Sequence, residues 1–195
     1  MSDLADRPER WPVTASRDIH RDDWVVALRE DIVQRPGHPE DEFRRLVVEH
    51  PGAVIVLAVD EDERACLITQ YRHACEATFV ELPAGIRDAE GEDPVEVAKR
   101  ELREEVELQA DDWRLLMTSA PTAGITAERH WIYLARGLRP ASRGDFEMRH
   151  EEAEIEVVWA PVDEVIDGVL QGRISEGPLA IAVLMYDVLR RRGEL

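Results

Sequence analysis

A cluster of glutamates near the middle of the chain has the spacing to bind a divalent metal ion. Glu101, Glu104 and Glu105 follow Asp93 and Pro94, a pair of residues typical of the start of a helix. At ~100° per residue, the three carboxylates fall along one border of an apolar helix face. Close carboxylates repel one another unless a cation offsets their charge, and hard divalent ions prefer oxygen ligands. The pattern predicts a helix from Pro94 that carries a Mg²⁺ site.

The same glutamates also have a simpler interpretation as the solvated edge of a helix, where Arg100 and Arg103 would pair with them. The surrounding sequence favours the metal site. A glycine-containing loop, Gly85 to Glu92, lies at a fixed distance before the helix. The order Arg-Glu-Leu-Arg-Glu-Glu at residues 100–105 then combines the arginine with all three carboxylates.

Together, residues 85–107 resemble the Nudix box, in which a glycine loop leads into a helix that contains Arg-Glu-aliphatic-x-Glu-Glu. Two features depart from this pattern. The loop between Gly85 and Glu92 is one residue longer, and Glu107 stands where the family has its second glycine. A left-handed helix end at that position costs a non-glycine residue ~1 kcal/mol, unless the helix continues instead. Neither departure removes an expected metal ligand.

Sequence outside the box narrows the resemblance. Gln-Tyr-Arg-His at residues 70–73, Glu-Leu-Pro-Ala-Gly at 81–85 and the segment 47–54 are similar to bacterial ADP-ribose pyrophosphatases. The resemblance implies an α+β Nudix fold, with a mixed sheet sandwiched between helices (α/β/α) and an N-terminal β extension. It also implies a Mg²⁺-dependent enzyme, with Mn²⁺ as the alternative metal, that hydrolyses ADP-ribose to AMP and ribose 5-phosphate.

The resemblance also implies roles for individual residues. The expected metal ligands are Glu101, Glu104, Glu105 and the backbone carbonyl of Ala84. Glu105 is also expected to be a catalytic residue. The expected general base is Glu152, because His-Glu-Glu-Ala-Glu at 150–154 is similar to a His-Glu-Glu-Ala-Asp motif of the family. The alternatives left open for the base are Glu128, Glu147, Glu151 and Glu154.

Candidates for substrate binding are fewer. Arg72 could clamp the phosphates, because a guanidinium binds two phosphate oxygens at once, or it could form a structural salt bridge with Glu81. Arg45 could reach the substrate from an N-terminal strand, or it could be a surface residue. Trp11 and Trp24 could stack on adenine, although packing in the core or in a dimer is the favoured interpretation for both.

Composition limits the classes of partner. The net charge of −18, from 42 acidic and 24 basic residues, argues against a broad basic surface for nucleic acid or an anionic membrane. The N-terminus lacks the pattern of a secretory signal, so we expect a cytoplasmic protein. Cys66 and Cys75 show no zinc-binding spacing, and we expect both to be reduced.

Strand and helix patterns alternate along the chain, and these elements must position the residues named above. Strand patterns precede the helix at Pro94, further strands follow it at Trp113–Ser119 and His130–Ala135, and a last helix is predicted from about Pro178 to Arg191. We expect residues 1–48 to form the β extension, which contributes to a homodimer and to substrate binding, and residues 49–195 to form the Nudix domain. The alternative functions are hydrolysis of another nucleotide sugar or dinucleotide, and a non-catalytic ligand-sensing module.

Overall fold

The computed structural model describes residues 5–21, 27–87 and 91–195. Trp24 and residues 88–90 of the glycine loop therefore lie outside the described residues. The strands are β1 (Val13–Arg21), β2 (Ala27–Arg35), β3 (His38–Glu49), β4 (Ala53–Ala58), β5 (Arg64–Arg72), β6 (Ala77–Glu81), β7 (Ala84–Ile86), β8 (Leu108–Ser119), β9 (His130–Pro140) and β10 (Glu156–Pro161). The helices are α1 (Pro94–Val106), α2 (Val162–Leu170) and α3 (Gly177–Arg192), with 3₁₀ turns at His73–Cys75 and His150–Glu154.

Helix α1 begins where the sequence predicts. The Asp93 carboxylate accepts a hydrogen bond from the Val95 N–H (3.1 Å), and Pro94 occupies the first turn, where its missing N–H costs nothing. Ala98 and Leu102 are fully buried on the apolar face of the helix. The helix ends at Glu107, which adopts the left-handed conformation (φ 55°, ψ 41°). The residue at the glycine position therefore takes the strained conformation, and the helix does not continue past it.

Strand β4 is the centre of the core. It lies in a four-stranded sheet of order β7-β4-β9-β8, in which the β4–β9 pair is parallel and the other pairs are antiparallel. Ile55 and Leu57 pack in one apolar cluster with α2 and α3, whereas Val54 and Val56 pack in another with α1. Because side chains alternate across a strand, α1 and α3 cover opposite faces of this sheet. The predicted α/β/α arrangement with a mixed sheet is confirmed.

A second, antiparallel sheet of order β10-β5-β6 adjoins this core. In it Glu156 lies opposite Thr69, and Glu81 lies opposite Ile68. The chain then passes from β6 to β7, in the other sheet, through Leu82 and Pro83 alone. This short crossing brings the end of β6 close to the strand that faces α1.

The N-terminal strands form a separate antiparallel sheet of order β1-β2-β3. The chain divides into two compact units, one from Met1–His50 with Thr122–Ala127 and the other from Pro51–Pro121 with Glu128–Leu195. Within the first unit, the Val48 N–H donates to the Ile125 carbonyl (2.8 Å). The predicted division between residues 48 and 49, with its role in a dimer, stays a prediction.

Two predicted strands are longer in the structure. The strand predicted from Trp113 begins at Leu108, directly after the left-handed residue that ends α1. The strand predicted from His130 to Ala135 continues to Pro140 as the antiparallel partner of this longer strand. No helix among the described residues is both long enough and apolar enough to cross a membrane.

A buried tyrosine joins α3 to the turn between β4 and β5 and to strand β9. Tyr186 is fully buried, and its hydroxyl donates to Glu63 and accepts from Arg136. Arg136 also donates to Glu63 (2.5 Å) and to the Asp60 carbonyl (3.2 Å). Burial raises the pKa of Tyr186 to about 12, so the hydroxyl keeps its proton and remains a donor.

We expect Tyr186→Phe to lower the free energy of unfolding by about 1–2 kcal/mol, because the part-buried Arg136 donor and the Glu63 acceptor each lose a partner. Urea denaturation followed by tryptophan fluorescence measures this change. Tyr71→Phe is the matched control, since Tyr71 is exposed and its hydroxyl lies 3.5 Å from His73 Nδ1. A control change as large as that of Tyr186→Phe would contradict the role of the buried network.

Candidate active site

The predicted metal-binding face of α1 packs directly against β7. Glu105 is buried, and its carboxylate accepts a hydrogen bond from the Ala84 N–H (2.9 Å). Glu101 lies so close to Gly85 that a Cβ at residue 85 would overlap the Glu101 carboxyl group. Glycine at this position therefore allows the strand to approach the carboxylates of the helix.

Arg100 balances part of the negative charge on this face. Its Nη1 lies 2.8 Å from Glu101 Oε1 and 3.5 Å from Glu104 Oε2, and its Nη2 lies 3.9 Å from Glu92 Oε2. The pairing of arginine with these glutamates, which was the simpler interpretation of the sequence, is thus present for Arg100. Across the described parts of the chain, no three His, Cys, Asp or Glu side chains are grouped closely enough to hold a metal ion.

The site nevertheless suits a divalent cation in its donors and its charge. Burial, together with the nearby charges of Glu101 and Glu152, raises the pKa of Glu105 to about 8, against the opposing effects of the Ala84 hydrogen bond and the Arg72 charge. The carboxylates of Glu92, Glu101 and Glu104 share the guanidinium of Arg100, so carboxylates outnumber this arginine. Hard oxygen donors with excess negative charge are the chemistry that Mg²⁺ and Mn²⁺ select, so the residues fit such an ion.

Arg72 and Glu81 form a two-point salt bridge across the β5–β6 hairpin. Arg72 Nε lies 2.9 Å from Glu81 Oε1, and Arg72 Nη2 lies 2.5 Å from Glu81 Oε2. This contact is the alternative role that the sequence left open for Arg72. A guanidinium has five N–H donors, so three are not engaged by Glu81. The salt bridge fixes the position of the arginine without using all of its donors.

Sequence reasoning missed Glu176, which lies beside this pair. Its side chain accepts a hydrogen bond from the Leu179 N–H (2.6 Å) and caps α3. Burial raises the pKa of Glu176 to about 7, and the Glu81 charge adds to this effect while the Leu179 hydrogen bond and Arg72 oppose it. An acidic residue directly before Gly177 and Pro178 is a signal for a helix start that could have identified the cap.

The predicted general base, Glu152, lies in the exposed 3₁₀ turn His150–Glu154. This turn leads into β10, whose first residue lies opposite Thr69 near the end of β5 that carries Arg72. The charge of Glu152 is one of the smaller causes of the raised pKa of Glu105, so the two carboxylates interact electrostatically. The alternative base Glu128 instead lies 3.0 Å from His130 Nε2 at the start of β9.

The remaining candidates belong to other places in the fold. Arg45 is exposed on β3 and lies 4.2 Å from the centre of the Phe43 ring, which Trp11 also contacts edge-on at 6.3 Å between ring centres. These contacts lie within the N-terminal unit, and the roles of Arg45 and Trp11 towards a substrate stay predictions. Cys66 is buried and Cys75 is exposed, and both are free thiols.

The NUDIX domain model matches residues 49–179, about two thirds of the chain. The chain belongs to the Nudix family. It is 43% identical over 158 residues to an ADP-ribose pyrophosphatase of Mycobacterium tuberculosis, which covers 81% of this chain and 74% of the relative. It is 31% identical over 175 residues to a CMP-5'-(N-acetyl-N-hydroxy-3-aminopropyl)phosphonate hydrolase of Streptomyces rubellomurinus, with 90% of this chain and 81% of the relative covered.

A solved structure described as an ADP compounds hydrolase has the same fold. Its TM-score is 0.75 at 20% sequence identity, and the match covers 98% of this chain and all of that one (100%). Together with the family match, these relatives identify the protein as a Nudix pyrophosphohydrolase. Nudix hydrolases generally use divalent metal ions, which agrees with the donors on α1.

Within the Nudix box, the replacement of the second glycine is visible in the backbone. Glu107 keeps the left-handed conformation, and its N–H donates to the Arg103 carbonyl (3.1 Å). A residue with a Cβ pays ~1 kcal/mol for this conformation relative to glycine. The helix end therefore keeps the geometry of a glycine cap and carries the strain.

We expect Glu176→Gln to stabilise the Nudix domain more at pH 8 than at pH 5. Because the pKa of Glu176 is raised from 4.5 to about 7, the native state holds a proton that the unfolded chain releases above about pH 4.5. Wild-type stability from this group is complete below that pH and is lost as the pH rises through 7. Glutamine does not titrate, and its amide oxygen can still accept the Leu179 hydrogen bond.

The difference in free energy of unfolding between Glu176→Gln and the wild type should increase by about 1 kcal/mol from pH 5 to pH 8. This figure is reduced because Glu176 is partly exposed. Urea denaturation at pH 5 and pH 8 measures it. Glu164→Gln, at an exposed site in the first turn of α2, is the control and should give the same small change at both pH values. An equal effect of Glu176→Gln at both pH values would contradict the assignment.

Proposed function

We propose that this Nudix enzyme hydrolyses the pyrophosphate bond of ADP-ribose, or of a closely related nucleoside diphosphate sugar, in a Mg²⁺-dependent reaction that yields AMP and ribose 5-phosphate from ADP-ribose. The observation that carries the proposal is the packing of Glu101 and Glu105 against Ala84 and Gly85. The name and similarity of the M. tuberculosis relative support the choice of substrate.

The chemistry follows from the charge of the substrate. A pyrophosphate resists attack because its negative oxygens repel the nucleophile. Glu101, Glu104, Glu105 and the Ala84 carbonyl would hold the divalent ion. When bound, this ion neutralises phosphate charge and lowers the pKa of water. Glu152, whose charge acts on Glu105, would take the proton from the attacking water.

Arg72 would bind the phosphates from the neighbouring sheet. Glu81 holds its Nε and Nη2 in a fixed plane, and its remaining N–H donors can bind phosphate oxygens. Because the salt bridge orders the side chain before the substrate arrives, less conformational entropy is lost on binding. The structural pairing and the predicted phosphate contact are therefore compatible roles for one arginine.

The N-terminal sheet would complete the enzyme as a homodimer. Val13, Ile19 and Leu46 expose apolar side chains on its strands, which suits burial against a second copy of the chain. In this proposal the sheet also supplies Arg45 to the substrate. The cytoplasmic location and the use of Mn²⁺ in place of Mg²⁺ stay predictions.

A second candidate substrate class has an observation of its own. The S. rubellomurinus relative is named for hydrolysis of a CMP-linked phosphonate, and the match to it covers 90% of this chain. Another nucleotide-linked compound is therefore the alternative substrate, with the same ligands and the same base.

A substrate panel tests the proposal. We expect ADP-ribose with Mg²⁺ to give a kcat/KM at least about tenfold above those of NADH, diadenosine polyphosphates, GDP-mannose and a CMP-linked phosphonate, and EDTA to abolish turnover. Chromatography of the products identifies AMP and ribose 5-phosphate. Equal or better turnover of another compound would overturn the choice of ADP-ribose, and full activity in EDTA would overturn metal dependence.

Replacement of the proposed base gives a separate prediction. Glu152→Gln should lower kcat by about 10² while the Mg²⁺ concentration for half-maximal activity stays unchanged, because a proton acceptor is lost and no ligand is removed. Glu151→Gln in the same 3₁₀ turn is the matched control and should keep nearly full activity. A lowered kcat in Glu151→Gln together with full activity in Glu152→Gln would assign the base to Glu151. Full activity in both variants would favour Glu128.

A further inference from the structure

The end of α1 is joined to the segment that carries Glu152 by a contact outside the Nudix box. Strand β8 begins directly after Glu107, with Leu108 opposite Pro140 of β9. The Ala141 N–H then donates to the Glu107 carbonyl (2.8 Å) and extends this pairing by one residue.

Arg143, two residues after Ala141, contacts the end of α1. Its Nη2 lies 3.4 Å from the backbone carbonyl oxygen of Glu105 and 3.5 Å from Glu107 Oε2, while its Nε is buried. The carbonyls of the last helical turn have no partners within the helix and carry partial negative charge, so a guanidinium there is favourable. One side chain thus contacts the backbone of a proposed metal ligand and the carboxylate of the strained residue that follows it.

We propose that Arg143 is a positioning residue that holds the last turn of α1, and with it the Glu105 carboxylate, in place against the segment that leads to Glu152. This inference rests on the proposed function for the role of Glu105 and Glu152. The acceptor on Glu107 exists only because this chain has glutamate where the Nudix box has glycine. Arg143 and Glu107 therefore act as a pair: the glutamate strains the helix end, and the arginine holds that end in its required conformation.

The physical effect of losing Arg143 follows from the position of Glu105. Without the guanidinium, the left-handed residue has fewer contacts to keep it in a strained conformation, and the last turn opens more often. Glu105 then spends less time in the geometry that a metal ion requires. Since Arg143 touches neither metal nor substrate in this scheme, its loss should act on kcat and on metal affinity, with little effect on the KM for substrate.

The experiment compares Arg143→Ala, Glu107→Gly, the double variant and Arg139→Ala. Arg139 is the matched control, because it is an exposed arginine on β9 that pairs with Asp111. Hydrogen exchange of the amides of residues 103–107 is measured without metal or substrate. The kcat, the KM for ADP-ribose and the Mg²⁺ concentration for half-maximal activity are measured alongside.

We expect Arg143→Ala to speed exchange at these amides about tenfold, to lower kcat about tenfold and to leave KM within about threefold of wild type. Adding Glu107→Gly should restore exchange and kcat to within about threefold, because glycine removes the strain that Arg143 offsets. Arg139→Ala should behave as wild type. If Arg143→Ala does not fold, Glu107→Gln, which removes the carboxylate and keeps the strain, should also speed exchange, by a smaller factor.

Three results would overturn the proposal. The first is unchanged exchange in the Arg143→Ala variant, or in Glu107→Gln where that variant replaces it. The second is a raised KM that Glu107→Gly does not rescue, which would make Arg143 a substrate contact. The third is a lowered melting temperature with unchanged kcat, which would make the contact merely structural. If the wild-type protein fails to hydrolyse ADP-ribose, the proposed function fails, whereas the exchange measurement still tests the contact.

Discussion

The close packing of α1 on β7 is the constraint on which the rest of the site depends. Glu105 is buried because its carboxylate accepts the Ala84 N–H, and Glu101 can lie beside the strand because Gly85 has no side chain. Burial of a carboxylate is costly unless it is hydrogen-bonded or paired with positive charge. The single N–H bond meets this cost only in part, as the raised pKa of Glu105 shows. Positive charge near Glu105 would therefore stabilise the ionised form of this carboxylate.

Three arginines, each on a different element, lie around the site and supply part of this positive charge. Arg100 lies on the helix itself, Arg72 comes from the neighbouring sheet through Glu81, and Arg143 follows β9. Each is held by an acidic partner or by a helix carbonyl, so none is a loose surface charge. Fixed cations of this kind stabilise developing negative charge more effectively than mobile ones, because they need not reorganise during the reaction.

Local parts of this site could be predicted from the sequence, whereas contacts between distant segments could not. The start of α1 followed from Asp93 and Pro94, since a helix cap involves only neighbouring residues. The place of Glu176 beside Arg72 required the packing of the last helix against the second sheet. The contact of Arg143 with α1 could not be predicted for a related reason. Its position depends on the register of β8 with β9, and this register starts with Leu108 opposite Pro140, before the predicted start of the strand.

The crossing between the two sheets explains how residues from separate sheets act at one site. Leu82 is buried in the core, and the Pro83 carbonyl accepts the Val56 N–H (2.9 Å), while proline has no N–H of its own to satisfy. The N–H of the same peptide group, which belongs to Ala84, donates to Glu105. Glu81, which orders Arg72, is therefore only three residues from Ala84, which orders Glu105. Because so short and well-anchored a segment has little freedom, the backbone itself holds Arg72 and helix α1, the proposed phosphate and metal sites, in a fixed relation.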